Sequence, residues 1–172
     1  MTNTLYGGGA EKVLQTILNN LNRQKYDITV YSMHDEIIRP ECYPSGIKYK
    51  AVFSDYHGHS IIGKRIHSIL GKIKGKLFLI APSWLFYLLY VHEKYDVEVA
   101  FIEGESTKII AGSTNKNSKK IAWVHIDLIA NPWTDFLYKN IEDERNHYQK
   151  FDKIVCVSEH TRQAFLEKYG GR

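Results

Sequence analysis

Three stretches in the second half of the chain constrain the fold more than any other feature. DVEVAFIE (residues 96–103), KKIAWVHI (119–126) and DKIVCVS (152–158) are short, nearly all apolar, and separated by segments with helical character. A strand with one face in water alternates apolar and polar residues, whereas a strand buried on both faces is apolar almost throughout. Burial on both faces belongs to parallel sheets covered by helices, so the alternation selects the α/β class: a doubly wound, mostly parallel, Rossmann-like sheet.

The first half fits the same class. Ala10, Val13, Leu14, Ile17, Leu18 and Leu21 recur at helical spacing, which predicts an amphipathic helix over 10–21. YDITVYSM (26–33) and IKYKAVF (47–53) read as strands, separated by a turn around Pro44 and Gly46. Residues 59–93 read as one helix or two, broken near Gly75 or Pro82. STKIIAG forms a short helix ending at Gly112, 134–150 a helix, and 159–169 a last helix stopped by Gly170 and Gly171. Strands are thus expected to end near residues 33, 53, 102, 125 and 157, and a chain of 172 residues suits one domain over 1–172.

Composition excludes several classes. A net charge of +4 with 24% charged residues falls short of the concentrated basic face of a nucleic-acid binder, so no nucleic-acid partner is expected. Cys42 and Cys156 lie far apart and form neither a disulfide framework nor a metal-ligand spacing, which fits a reducing cytoplasm. The polar, glycine-rich start does not read as a signal peptide. The longest apolar run, LFLIAPSWLFYLLYV (77–91), is shorter than the ~18 residues of a spanning helix and is interrupted by Pro82 and Ser83, so a soluble or peripheral protein is expected. Ahead of that run, KRIHSILGKIKGK (64–76) sets Lys64, Arg65, Lys72, Lys74 and Lys76 among apolar residues. Such a segment suits an anionic membrane surface; the other reading is a core-covering helix with a solvated lysine face.

In doubly wound sheets ligands bind beyond the carboxyl ends of the strands. Four clusters fall at such places: Gly7 to Glu11, Glu103-Gly104-Glu105-Ser106, His125-Ile126-Asp127, and Ser158-Glu159. Glycines ahead of a helix let an anion approach the first backbone N–H groups, although YGGGAEKVL is neither GxGxxG nor a Walker loop, and a tight strand-to-helix turn would use the same residues. His125, closing an apolar strand, can meet a ligand hydroxyl or a developing charge, or can be a framework histidine; Asp127 faces the same side only if the strand continues. Glu103 and Glu105 can bind sugar hydroxyls or be two exposed loop carboxylates. Ser158 has the default role of capping the last helix, with Glu159 in its positively polarised first turn.

Together GGGAEKVL (7–14), YDVEVAFIEGESTKIIAGS with KKIAWVHID (95–127) and FDKIVCVSEHTRQAFLEKY (151–169) resemble the N-terminal half of a family 4 glycosyltransferase of the GT-B fold, of the bacterial kind that builds surface polysaccharides. The resemblance implies retaining transfer of a sugar from a nucleotide-sugar donor to a glycan or lipid-linked acceptor, with no cofactor and no bound metal. By matching motif, Gly8 and Gly9 would lie near the donor diphosphate with Glu11 starting the helix. His125 would contact the transferred sugar as the catalytic residue, and Glu103 and Gly104 would lie near the acceptor. Asp127, Ser158 and Glu159 complete the expected substrate-binding set. The location implied is cytoplasmic, peripheral on the inner face of the cell membrane.

The resemblance also implies an apolar first strand ahead of the glycines, where only MTNTLY stands, and a C-terminal donor-binding domain beyond this chain. Glu159 and Glu167 have the Glu-x7-Glu spacing of that domain but not its context. The slot of the first strand is expected to be filled by closure of its neighbours, by a partner strand or by upstream residues, because unpaired backbone in a core is costly. Acting alone the chain is expected to be inactive. Two alternatives stand beside this reading: a non-catalytic subunit that completes the cleft of a separate C-terminal chain, and a doubly wound domain for another nucleotide.

Overall fold

The computed structural model describes residues 1–3, 5, 8–34, 44–53, 73 and 76–171, and the backbone forms two compact units, residues 1–55 and 56–172. Gly7, Cys42 and most of the first part of the helical stretch expected over 59–93 (59–72, 74 and 75) lie outside the described residues.

In the first unit α1 (Gly9–Asn20) precedes β1 (Thr29–His34) and β2 (Lys48–Phe53). The two strands pair in parallel, with Thr29 opposite Lys48 and His34 opposite Phe53. Leu14, Leu18, Val30, Met33 and Val52 are buried. The Ile28 carbonyl faces β2 and accepts the Lys48 N–H (3.0 Å). On the other side of β1 the Thr2 N–H donates to the Tyr31 carbonyl (2.8 Å), and the Met33 N–H reaches the Thr2 and Asn3 carbonyls (3.0 and 3.1 Å). That bridge is parallel. The edge of β1 that the sequence left wanting a neighbour is therefore met, over this short length, by residues 1–3 themselves.

The second unit contains α2 (Ser83–Tyr90), β3 (Val97–Ala100), α3 (Glu105–Ala111), β4 (Lys119–Val124), a 3-10 turn (Asp135–Leu137), α4 (Ile141–Tyr148), β5 (Lys153–Cys156) and α5 (Glu159–Tyr169). The sheet order is β3-β4-β5, with both pairings parallel: Val97 lies opposite Lys119 and Val124 opposite Cys156. The α/β class and parallel pairing are as the alternation of apolar strands requires. Strands end at 34, 53, 100, 124 and 156, within two residues of expectation. Residues 134–150 differ, because the helix is interrupted. The Asn140 side chain accepts the Asp143 N–H (2.8 Å), and the Asp143 carboxylate accepts the Lys139 N–H (3.1 Å), so a fresh helix start is built inside the stretch.

The core of this unit holds Ala100, Phe101, Ile109, Ala122, Val124, Leu128 and Phe151, with Tyr148, Phe165 and Tyr169 packed at ring-centroid distances of 4.9 to 5.2 Å. Its buried polar groups tie the long β4–α4 connection down. Lys108 Nζ donates to the Leu137 carbonyl (2.7 Å), Thr134 Oγ1 donates to Glu144 (2.6 Å), and Lys168 Nζ reaches the Leu128 carbonyl (3.1 Å) and Asp135 (2.8 Å). Burial lowers the Lys108 pKa, so that carbonyl bond is what keeps an ammonium tolerable there.

Helix α2 meets the end of α3 at Gly112, where a Cβ would stand 2.3 Å from the Ser83 carbonyl carbon and oxygen. Both partners are backbone and cannot step aside. Gly112→Ala is expected to destabilise the fold by about 2 kcal/mol. Gly9→Ala, where a Cβ meets nothing within 4 Å, should be neutral or stabilising by up to about 1 kcal/mol. Urea denaturation of the two variants checks the contrast.

Candidate functional site

Because β3, β4 and β5 run in one direction, their carboxyl ends share one edge of the second unit's sheet. Glu103 and Gly104 follow β3, His125 and Asp127 follow β4, and Ser158 and Glu159 follow β5. The parallel ladder brings these six residues to the same edge.

At the centre of that edge Glu103 is not an exposed loop carboxylate. It is 2% exposed, and its Oε1 accepts the backbone N–H groups of both His125 and Ile126, the latter at 3.1 Å. His125 is half-buried. Its Nε2 lies 2.8 Å from the Phe101 carbonyl oxygen, which can only accept, so Nε2 carries the proton. The ring packs against Phe101 (centroids 5.0 Å apart) and Trp123 (5.8 Å, planes 19° from parallel), which also touch each other (5.0 Å). Nδ1 is the nitrogen left for other chemistry. Sequence reasoning missed these supports; the aromatic residues at alternate positions, Trp123 and His125, were the available signal.

Gly104 adopts φ +84°, and a Cβ there would stand 2.8 Å from Trp133 and 2.9 Å from Leu137. Only glycine makes this turn from β3 into α3. Its carbonyl accepts the Tyr138 hydroxyl (3.2 Å).

Strand β4 stops at Val124, so Asp127 lies in the following turn. One oxygen accepts the Ile129 and Ala130 N–H groups (2.8 Å each), and the other meets His160 Nε2 at 3.0 Å. The Ala130 N–H, chiefly, holds the carboxyl below the usual aspartate range. Ser158 caps α5, its hydroxyl accepting the Thr161 N–H (3.1 Å). Glu159 accepts from Gln163 (2.7 Å) and Arg162 (2.8 Å), which lower its pKa. The edge therefore presents two ionised carboxylates, suited to accept from hydroxyl groups and unsuited to a polyanion.

A cavity of about 710 Å³ runs along β5 and is lined by Cys156, Ser158, Glu159, Arg162 and the Tyr148 and Tyr169 rings. Neither Glu103 nor His125 lines it. Burial pushes the Cys156 thiol up, away from reactivity.

Gly8, Gly9 and Glu11 belong to the first unit. Gly8 precedes α1 with extended backbone (φ −114°), and no side chain caps the helix. The Glu11 carboxylate folds back over Gly8, where a Cβ would stand 2.4 Å from Oε2. An anion approaching the helix start would have to displace this carboxylate, which sits at the end of a flexible side chain. No cluster of three His, Cys, Asp or Glu side chains able to hold a metal occurs among the described residues.

Against this geometry the family comparison is decisive: the sequence model of glycosyltransferase family 4 matches residues 7–172. The chain belongs to that family. No curated protein and no solved structure matches it. In this glycosyltransferase the match begins at the glycines and runs through all three carboxyl-end clusters, consistent with a Rossmann-like GT-B half.

Ser158 is the site residue whose structural role can be separated cleanly from ligand contact. Ser158→Ala should cost about 1 kcal/mol, while Ser158→Asp, another good cap, should retain stability. Thermal unfolding of the glycosyltransferase variants reads the difference.

Proposed function

We propose that this chain is the acceptor-side half of a retaining glycosyltransferase that moves a sugar from a nucleoside-diphosphate donor to a glycan or lipid-linked acceptor in surface-polysaccharide synthesis. The observation that carries the reading is the meeting of His125 with Glu103, Asp127 and Glu159 along one sheet edge, in a chain of family 4. A held imidazole among ionised carboxylates suits a neutral, hydroxyl-rich ligand. His125 would contact the transferred sugar, and Asp127, Ser158 and Glu159 would offer polar contacts nearby. Gly104 would shape the acceptor side. The uncapped start of α1 would take the donor diphosphate on the Gly8 and Gly9 backbone once Glu11 turns away. On this reading the leaving diphosphate needs no metal, because backbone amides and the donor-binding C-terminal half meet its charge.

The test is turnover of a nucleotide sugar by the enzyme carrying this chain together with its donor-binding half. His125→Ala should lower turnover about 10²-fold, the usual worth of a contact that strengthens in the transition state, with the fold intact by circular dichroism. Unchanged turnover returns His125 to a framework role.

No helix among the described residues is long and apolar enough to cross a membrane. Along the two helical stretches 76–80 and 83–90, however, Leu77 (51% exposed), Ile80 (72%), Trp84 (50%) and Leu88 (48%) are exposed. They follow Lys64, Arg65, Lys72, Lys74 and Lys76 in sequence. We propose that this segment rests on the anionic cytoplasmic face of the cell membrane, where a lipid-linked acceptor would be met. Sedimentation with vesicles of phosphatidylcholine, with and without phosphatidylglycerol, should show binding to the anionic vesicles only. That binding should weaken in high salt and in Ile80→Ser with Trp84→Ser.

A further inference from the structure

Residues 101–103, just past the end of β3, grip His125 at two places. The Phe101 carbonyl takes the ring Nε2–H (2.8 Å), and the Glu103 carboxylate takes the backbone N–H of His125 together with that of Ile126 (3.1 Å). These bonds do different work. The carbonyl bond fixes which ring nitrogen carries the proton, but it forms only if the His125 backbone is held at the right height beside Phe101. The two backbone bonds supply that hold. At 2% exposure Glu103 gains them in a site largely closed to water, where a hydrogen bond is electrostatically stronger than in solvent. The same burial argues against Glu103 as a ligand for a bulky acceptor, since its Oε1 is already shared between two donors.

We propose that Glu103 is the positioning residue of the His125 site: it clamps the turn at 125–126 so that the imidazole is presented as the Nε2–H form, with Nδ1 directed to chemistry. The proposal rests on the reading of His125 as the sugar-contacting residue, and it reassigns Glu103 from acceptor contact to support.

Two readouts on the chain itself test the clamp independently of activity. Nitrogen-15 spectra of the histidine ring, taken at about pH 8 where an ordinary imidazole is neutral, should show the Nε2–H tautomer in the unaltered protein. An Nδ1–H ring overturns the proposal without any variant. Amide hydrogen exchange should show His125 and Ile126 protected, and Glu103→Ala should accelerate both by about 10²-fold and mix the ring tautomers. The amides of Ile109 and Ala164, on helices away from the turn, should stay as they were. Glu103→Gln keeps an acceptor oxygen in place and should retain the tautomer, with only a modest, local acceleration at 125 and 126. Should Glu103→Ala fail to fold, Glu103→Gln decides: exchange unchanged at both amides, or accelerated everywhere alike, overturns the clamp. In the complete enzyme Glu103→Ala should lower kcat with little change in KM. The double variant with His125→Ala should be no slower than His125→Ala alone, because the first acts through the second. Additive losses overturn positioning. If His125→Ala leaves turnover unchanged while the tautomer and exchange results hold, the catalytic reading of His125 fails and the clamp stands.

Discussion

A parallel ladder must end somewhere, and where it ends the backbone still needs partners. Between β3 and β4 the pairing stops at Ala100 and Ala122, and the N–H groups of His125 and Ile126, one and two residues past Val124, stand at the half-buried edge of the sheet. Each would cost roughly 1–3 kcal/mol if left unmet. Glu103 meets both. Much of the neighbouring structure follows from bringing a carboxylate to that spot. The chain must turn sharply straight after Glu103, which requires the positive φ of Gly104. The space beside that glycine is closed by Trp133 and Leu137, whose own loop is held by Lys108 and Tyr138. The functional edge is built as the solution to a backbone pairing problem.

This explains what could be read in the sequence and what could not. The all-apolar runs IAWV and KIVC announce strands buried on both faces, so the parallel class and the strand ends were legible to within two residues. The 134–150 stretch lacks glycine and proline after Pro132, so nothing in its composition marks a break. The break comes from Asn140 and Asp143 bonding to nearby backbone, which spacing alone does not reveal. Glu103, between Ile102 and Gly104, looks like an exposed loop acid, because its burial depends on donors twenty-two residues away. Thr2 was equally hidden. A methionine followed by three polar residues does not look like strand, yet the outer edge of β1 offers the Tyr31 carbonyl and the Met33 N–H to whatever chain lies beside it.

The helix starts divide by how their first amides are used. Ser158 and Asn140 accept backbone N–H groups with their own side chains, and in α3 the turn at Gly104 replaces a cap. Helix α1, like α2, has no side-chain cap: Gly8 brings no side chain, and the Glu11 carboxylate occupies the space a Cβ there would take. A carboxylate at a helix start satisfies the positive end of the dipole as an anionic ligand would, but unlike a backbone cap it can rotate away. At Gly8 the missing side chain leaves the room that the Glu11 carboxylate occupies.

The charge of the second unit's edge selects the part of a substrate it can meet. Asp127 and Glu159 are held ionised by backbone and side-chain donors, so this edge disfavours a diphosphate and suits hydroxyls. A nucleotide sugar is an anion joined to a neutral polyol. On the proposed reading the polyol belongs with the carboxylate edge, and His125 fits that role. Its Nε2–H is committed to the Phe101 carbonyl, so on the proposed reading Nδ1 is the contact atom. A neutral Nδ1 accepts from a sugar hydroxyl, and a protonated one donates to an oxygen gaining charge as the glycosidic bond rearranges. A phosphate would call for a lasting cation, whereas an imidazole tied at one nitrogen and open at the other can follow the change in charge at the transferred sugar.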